Sequence, residues 1–155
     1  MVAIMNEALE MKPGLKILEV GAGSGYHAAT LAEHVGPEGH VFAVEVVMEL
    51  VSFARENLER AGYGNRVTLV HGDGSLGYPD RAPYDRILLT AAAPRIPPAL
   101  LQEIKQGGIA VMPVGGRLFP QELLKIQKTE GGSVKKTSLG GVAFVPLVGK
   151  EGFEN

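Results

Sequence analysis

Residues 16–25 read KILEVGAGSG, an apolar run that leads directly into a loop of three glycines. The run has the length and composition of a buried strand, and residues 26–35 carry apolar side chains at helical spacing. The glycines therefore lie between a strand and a helix. At such a turn they let a ligand approach the backbone closely, because no Cβ atom is in the way.

The same alternation of strand and helix continues on both sides of this loop. The apolar spacing predicts helices over residues 2–11, 26–35, 49–61 and 98–106. It predicts strands over residues 16–20, 40–44, 67–70, 85–90, 109–114, 122–128 and 142–148, with chain turns at Gly107-Gly108 and Gly131-Gly132. This pattern indicates one doubly wound α/β domain over residues 1–155 with a mostly parallel sheet. Its ligand crevice is expected at the carboxyl ends of the first strands.

The composition excludes several classes of function. The chain has 155 residues and a formal charge of −2, which argues against general binding to nucleic acid or acidic membranes. It has no cysteine, so disulfides, a Cys-ligated zinc and a thiol nucleophile are excluded. The four histidines lack metal-ligand spacing, and we predict no metal site. Neither a signal peptide nor a membrane span is visible, so a cytoplasmic protein is expected.

An acidic residue accompanies the glycine loop at the expected distance. Glu45 ends the second strand, twenty residues after Gly25. A carboxylate at that place can accept two hydrogen bonds from a ribose diol. The loop and Glu45 together predict that a nucleoside is bound.

The next strand is followed by His71-Gly72-Asp73-Gly74. Asp73 could accept a hydrogen bond from the exocyclic amine of adenine, with Gly72 and Gly74 providing room. An ordinary Asp-Gly turn is the alternative.

The glycine spacing leaves two kinds of cofactor open. Gly23-x-Gly25-x-x-Ala28 fits a dinucleotide-binding pattern, although Tyr26 stands where a pattern starting at Gly21 needs a small residue. An acidic residue such as Glu19, placed in the strand just before Gly21-x-Gly23-x-Gly25, is instead typical of S-adenosylmethionine-dependent methyltransferases.

The loop after the fourth strand offers small apolar residues, Ala91-Ala92-Ala93-Pro94, and no acid or base. In a methyltransferase of this architecture, this loop faces the methyl group. A loop without an acid or base suits a methyl acceptor that is already a nucleophile. A carboxylate with an ordinary pKa of about 4 is ionised at neutral pH and needs no general base. Transfer would then depend on alignment and desolvation, and we assign no catalytic residue. A merely compact loop is the alternative.

Several motifs resemble the protein-L-isoaspartate O-methyltransferase family. They are MVAIM at 1–5, LEVGAGSGY at 18–26, GDG at 72–74, APYD at 82–85, AAAP at 91–94, GG at 107–108, PVG at 113–115 and FVPLVG at 144–149. The resemblance implies a Rossmann-like class I methyltransferase that uses S-adenosylmethionine. It also implies esterification of the α-carboxyl of L-isoaspartyl residues in damaged proteins, which begins their repair.

The resemblance also implies roles for individual residues. Gly21, Ala22 and Gly23 would line the methionine and ribose part of the cofactor, and Glu45 would take the ribose hydroxyls. Asp73, Gly72 and Gly74 would border the adenine. The substrate peptide would be flanked by two segments, Thr90, Ala91, Ala92 and Ala93 in one and Val145, Pro146 and Leu147 in the other.

One departure from the family concerns the start of the chain. Family members carry a region ahead of the glycine loop that includes Thr-Ile/Val-Ser-Ala-Pro-His, and this chain begins where that motif would end. We therefore expect a domain that lacks the family's N-terminal region, through a late start codon or a real truncation. The alternatives are a cofactor-binding methyltransferase domain with another acceptor or little activity, and a nicotinamide dehydrogenase.

Overall fold

The computed structural model describes residues 1–154, and seven strands of this part form a single sheet. The strands are β1 (Lys16–Val20), β2 (His40–Glu45), β3 (Val67–His71), β4 (Tyr84–Leu89), β5 (Ile104–Gly115), β6 (Gln121–Lys128) and β7 (Val134–Val142). Their order in space is β3-β2-β1-β4-β5-β6-β7. The first five strands run parallel, and β6 and β7 pair antiparallel. The predicted mostly parallel α/β sheet is confirmed.

Helices cover both faces of the sheet. They are α1 (Val2–Ala8), α2 (Tyr26–Val35), α3 (Met48–Arg60) and α4 (Pro98–Glu103). Side chains of α1, α2 and α3 pack with Ile17 on one face, and α4 packs with Leu18 and Val20 on the other. Alternate residues of β1 thus enter different cores, as the period of a strand requires. Among residues 1–154, no helix has the length and apolar character needed to cross a membrane.

The order of the strands creates a switch point at the centre of the sheet. From β1 the chain adds β2 and β3 on one side, then returns to add β4 and β5 on the other. The loops after β1 and β4 therefore diverge and leave a crevice at the carboxyl edge, where ligands bind in such sheets.

The prediction of a strand over residues 142–148 is wrong. The last strand is β7, and residues 146 and 148 take part in isolated bridges instead. Eight of the nine residues of β7 are exposed, so no buried face marks this edge strand in the sequence. The apolar residues after it cover the loop that follows β4.

Two helix ends also differ from the prediction. Helix α4 ends at Glu103, and β5 begins at Ile104, so Gly107-Gly108 lies inside a strand. Gly107 has φ +75° there, beside a register shift between β4 and β5. Helix α1 ends at Ala8, and Arg86 of β4 donates to the carbonyls of Leu9 and Glu10 beyond its end. The turn at Gly131-Gly132 is confirmed, since the Gly132 amide donates to the Thr129 carbonyl.

Candidate active site

The glycine loop between β1 and α2 depends on left-handed backbone. Gly21, Gly23 and Gly25 have φ of +94°, +55° and +81°, values that side chains disfavour. A Cβ atom at Gly21 would lie 2.4 Å from Thr90 Oγ1, and one at Gly25 would lie 3.2 Å from the Ala54 carbonyl. At Gly23 nothing in the described chain lies within 4 Å of that position. The first and last glycines therefore allow close packing, and the middle one faces open space.

Glu45 holds the glycine loop beside the start of α3. Its Oε2 accepts a hydrogen bond from the Gly23 amide at 2.9 Å, and its Oε1 accepts one from the Val47 amide at 3.0 Å. The residue is 7% exposed. Each carboxylate oxygen has a second lone pair, so Glu45 can still accept hydrogen bonds from a diol.

A cavity of about 270 Å³ opens next to Glu45 at the carboxyl edge of the sheet. Nine of the predicted site residues line it, namely Gly21, Gly23, Glu45, Gly74, Thr90, Ala91, Val145, Pro146 and Leu147. Val44, Val46 and Leu50 add apolar wall. Five predicted residues lie outside this lining, namely Ala22, Gly72, Asp73, Ala92 and Ala93. The predicted cofactor and substrate segments therefore meet at one cavity.

Asp73 is occupied by the protein itself. Its Oδ1 accepts from the Ser75 amide at 2.9 Å and from the Ser75 hydroxyl at 2.6 Å. Its Oδ2 accepts from the Lys150 amide at 2.8 Å. Asp73 thus orders the turn after β3 and fastens the C-terminal segment to it, while Gly74 supplies the cavity wall.

The alanine loop and the C-terminal segment are joined through their backbones. The Ala92 amide donates to the Val145 carbonyl at 2.8 Å, and the Leu147 amide donates to the Ala92 carbonyl at 2.8 Å. Ala92 and Ala93 are fully buried, whereas Val145 is 70% exposed. The two segments that sequence analysis assigned to the substrate therefore form one continuous wall.

The sequence prediction missed Glu19 as a site residue. Its side chain is 0% exposed, and within the described chain neither carboxylate oxygen has a hydrogen-bond partner. Burial raises the pKa of Glu19 well above its usual range, and the nearby Glu45 raises this pKa further. The signal in the sequence was an acid between the apolar residues Leu18 and Val20 of β1.

Glu19 lines a second groove of about 290 Å³, on the other side of the glycine loop. Gly21, Gly23 and Thr90 line both the groove and the cavity, and Ala22 lines the groove. His27 lines it too and forms a 2.9 Å hydrogen bond with Asn6, and burial lowers the pKa of His27 to about 4. His27 is therefore neutral at pH 7.

The groups around the cavity and the groove suit a charged nucleoside better than a metal ion. Glu45 is placed for a diol, the cavity walls are apolar, and the groove holds an unpartnered buried acid that a cation would satisfy. Three or more His, Cys, Asp or Glu residues grouped for a metal ion do not occur in residues 1–154. The site fits a nucleoside that carries a positive charge.

Comparison with known sequences shows which protein family has this sequence around the site. The model of the protein-L-isoaspartate(D-aspartate) O-methyltransferase family matches residues 1–152. A protein-L-isoaspartate O-methyltransferase of Methanopyrus kandleri is 56% identical over 99% of this chain and 68% of its own length. One of Ignicoccus hospitalis is 57% identical over 97% of this chain and 71% of its own length.

Solved structures give the same fold. A protein-L-isoaspartate O-methyltransferase superposes with a TM-score of 0.88 and 29% identity, over 97% of this chain and 47% of that one. A Plasmodium falciparum structure described as a putative family member in complex with S-adenosyl-L-homocysteine has a TM-score of 0.80. The two sequences are 24% identical, and the superposition covers 95% of this chain and 71% of that one. This similarity supports the fold alone.

Proposed function

Since the chain belongs to the protein-L-isoaspartate(D-aspartate) O-methyltransferase family, we propose that it transfers a methyl group from S-adenosylmethionine to the α-carboxylate of isoaspartyl residues. The chain spans between 62% and 74% of the length of the curated relatives it matches and 47% of one solved structure. The activity, substrates and partners of the whole relatives are therefore part of this proposal. Damaged proteins or peptides are the proposed partners.

The observation that carries the proposal is the cavity beside Glu45 with the buried acid Glu19 across the glycine loop. When bound, S-adenosylmethionine supplies a methyl group activated by a positively charged sulfur. Its ribose diol suits Glu45, its adenine suits the apolar wall, and its positive charge suits Glu19. A reduced nicotinamide dinucleotide carries no cation and would leave the buried acid unexplained.

Residues of three loops would hold the methionine, ribose and adenine parts of this cofactor. We assign Gly21, Ala22 and Gly23 to its methionine and ribose part, and Glu45 to the ribose hydroxyls. We assign Gly72, Asp73 and Gly74 to the adenine end. Because both Asp73 oxygens hold backbone of the chain itself, we expect Asp73 to act there by ordering the turn.

The wall formed by the alanine loop and the C-terminal segment would present the acceptor. Thr90 donates its hydroxyl proton to the carbonyls of Val20 and Gly21, so this hydroxyl is held against the chain's own backbone. Ala91 and Leu147 are small or apolar and would exclude water around an acceptor carboxylate. An ionised carboxylate then needs only alignment and desolvation.

The test is methyl transfer from labelled S-adenosylmethionine to a pair of peptides that differ only in an isoaspartyl or an aspartyl linkage. We expect the chain to methylate the isoaspartyl peptide and leave the aspartyl peptide unlabelled. Equal labelling of both peptides would contradict the proposed selectivity. Labelling of neither, with the cofactor still bound, would indicate a cofactor-binding domain with another acceptor or little activity. The cytoplasmic location expected from the sequence stays a prediction.

A further inference from the structure

The loop that joins β5 to β6, residues 116–120, carries two unusually exposed apolar side chains. Among the large apolar residues of 1–154, the exposed fraction is highest for Leu118 at 73%, Phe119 at 72% and Val145 at 70%. Val145 belongs to the C-terminal segment beside the alanine loop. One exposed apolar residue needs no explanation, but three of them grouped in neighbouring segments indicate a binding surface.

The β5–β6 loop lies at the same edge of the sheet as the cavity. Strand β5 runs parallel to β4, so its last residue, Gly115, is at the carboxyl edge, where the chain turns back into β6. The Gly115 amide donates to the Ala93 carbonyl at 3.0 Å, which joins the base of the β5–β6 loop to the alanine loop. Strands β4, β5 and β6 are neighbours in space, so the β5–β6 loop lies about 5–10 Å from the end of β4, one to two strand spacings.

Gln121 connects the β5–β6 loop to the C-terminal segment. Its Nε2 donates to the Gly116 carbonyl at 3.2 Å and to the Phe144 carbonyl at 3.1 Å. Its Oε1 accepts a hydrogen bond from the Phe144 amide at 2.6 Å. Gln121 is buried, and Phe144 directly precedes Val145. The exposed side chain of Val145 is therefore carried by a segment that is held next to the β5–β6 loop.

Hydrogen bonding and close packing order the backbone of the β5–β6 loop. The Gly116 amide donates to the Pro120 carbonyl at 2.9 Å across the loop. A Cβ atom at Gly116 would lie 2.7 Å from the Phe119 carbonyl oxygen, so the turn is too tight for a side chain there. Leu118 and Phe119 are thus presented by an ordered loop, and a ligand that binds them loses less entropy than one that must order the loop first.

We propose that Leu118 and Phe119, together with Val145, bind an apolar side chain of the substrate polypeptide close to its isoaspartyl residue. The inference rests on the proposed function. The surface continues the wall that would present the acceptor, because Ala93 and Phe144 both bond to the base of the β5–β6 loop or to Gln121. An extended chain rises about 3.3 Å per residue, so the side chain about two positions from the isoaspartyl residue reaches this loop.

These contacts would determine which damaged sites are preferred, and they would not act on the methyl transfer itself. A side chain about two positions from the acceptor does not touch the reacting atoms. Contacts of this kind are equally strong in the ground state and the transition state, so they lower KM and leave kcat unchanged.

The test uses isoaspartyl peptides in which a single leucine moves along an otherwise serine sequence. Fluorescence anisotropy of labelled peptides measures binding in the presence of S-adenosylhomocysteine, and methyl transfer from S-adenosylmethionine gives kcat and KM. We expect a leucine about two positions from the isoaspartyl residue to tighten binding about three- to tenfold, through partial burial of one apolar side chain, and to lower KM alike. Equal affinity for the all-serine peptide and for every leucine peptide would overturn the proposal.

The matched variant combines Leu118→Ser with Phe119→Ser, and we expect it to fold because both side chains are exposed. It should bind the leucine and all-serine peptides alike. The control combines Phe53→Ser with Val134→Ser, which removes exposed apolar side chains from α3 and from the amino edge of the sheet, and it should keep the preference for leucine. An undiminished preference in the loop variant would overturn the proposal.

Two further outcomes separate this inference from its alternatives. If the wild type forms a dimer in sedimentation and the loop variant is a monomer, the surface belongs to a second copy of the chain and the proposal is overturned. Methylation of the all-serine isoaspartyl peptide with no effect of leucine overturns this inference alone. A chain that neither binds nor methylates any isoaspartyl peptide overturns the proposed function together with it.

Discussion

At the scale of single residues, Glu45 connects three parts of the site. Its two oxygens hold the Gly23 amide of the glycine loop and the Val47 amide before α3, and its side chain lines the cavity. The carboxylate is thus already oriented before a ligand arrives. Preorganisation of this kind lowers the entropy lost on binding.

Glu45→Gln should weaken binding of S-adenosylhomocysteine by about 1–3 kcal/mol, the range for hydrogen bonds to charged groups. The glutamine amide keeps the size of the side chain but replaces one acceptor oxygen by an NH₂ donor. This donor would face the N–H group of Gly23 or Val47, so one of these two hydrogen bonds would be lost. Equilibrium binding measures the change. Glu49→Gln is the control, because Glu49 is an exposed acid in the first turn of the adjacent helix. If Glu45→Gln and Glu49→Gln bound S-adenosylhomocysteine with equal affinity, Glu45 would not be a cofactor-binding residue.

Single residues also indicate how far sequence reasoning reaches. That Gly21, Gly23 and Glu45 lie together could be predicted, because a loop and an acid at fixed spacing carry a local signal, and all three line the cavity. The partners of Asp73 could not, since Lys150 lies 77 residues away along the chain. The isolation of Glu19 was equally hidden, because the absence of donors depends on which strands and helices surround β1. The sequence pattern identifies an acid at position 19, but it does not predict that this acid is buried without a hydrogen-bond donor.

At the scale of elements, Asp73 joins the turn after β3 to the segment that forms the acceptor wall. The Lys150 amide and the Ser75 side chain both bind its carboxylate, and the Glu151 amide donates to the Ser75 hydroxyl at 3.0 Å. A Cβ atom at Gly149 would lie 2.1 Å from Asp73 Oδ1. Asp73 is therefore the residue that fastens positions 149–151 to the turn after β3, beside the backbone hydrogen bonds that join Val145 and Leu147 to the alanine loop.

Asp73→Ala should lower the free energy of unfolding by about 1–3 kcal/mol, because it removes a cap and leaves buried donors unpaired. The amides of Lys150 and Glu151 should exchange hydrogen faster, while those of β1 keep their protection. Denaturant unfolding and amide exchange measure the two effects. Asp80→Ala, at an exposed acid nearby, serves as the control. If exchange at residues 150 and 151 did not change, Asp73 would not hold this segment.

The elements themselves were predictable in proportion to their burial. Strand β1 and helix α2 have the predicted bounds, because two buried faces or one apolar stripe marks each of them. Strand β7 was missed, because an exposed edge strand rich in lysine and glycine carries no such pattern. The apolar composition of residues 142–148 predicts a strand, but in the described chain this stretch contacts the alanine loop through the backbones of Val145 and Leu147, and of its side chains Leu147 is the buried one.

At the scale of the whole molecule, buried titratable groups make stability depend on pH. Burial lowers the pKa of His27 to about 4, against about 6.5 in an unfolded chain. Between these values the unfolded state binds more protons than the folded state, so this residue's contribution to stability is present above pH 6.5 and is lost as the pH falls towards 4. The raised pKa of Glu19 acts in the opposite direction, with stability lost as the pH rises above 4.5.

His27→Gln should remove the first effect and leave the second. Between pH 7 and pH 4 the wild type should lose about 3 kcal/mol of unfolding free energy more than this variant, at about 1.4 kcal/mol for each unit of pKa difference. Denaturant unfolding at a series of pH values measures the difference. His34→Gln, at an exposed histidine of the same helix, should follow the wild type. Parallel pH curves for the wild type and His27→Gln would show that burial does not perturb His27.

Calorimetric titration of the chain tests most directly whether the cavity between the glycine loop, Glu45 and the C-terminal segment binds S-adenosylmethionine. S-adenosylhomocysteine and NADH are titrated separately, and each is then added as a competitor of the other. We expect S-adenosylhomocysteine to bind at one site per chain and to be insensitive to excess NADH. Preferential binding of NADH, or binding of neither, would contradict the assignment of this cavity to S-adenosylmethionine.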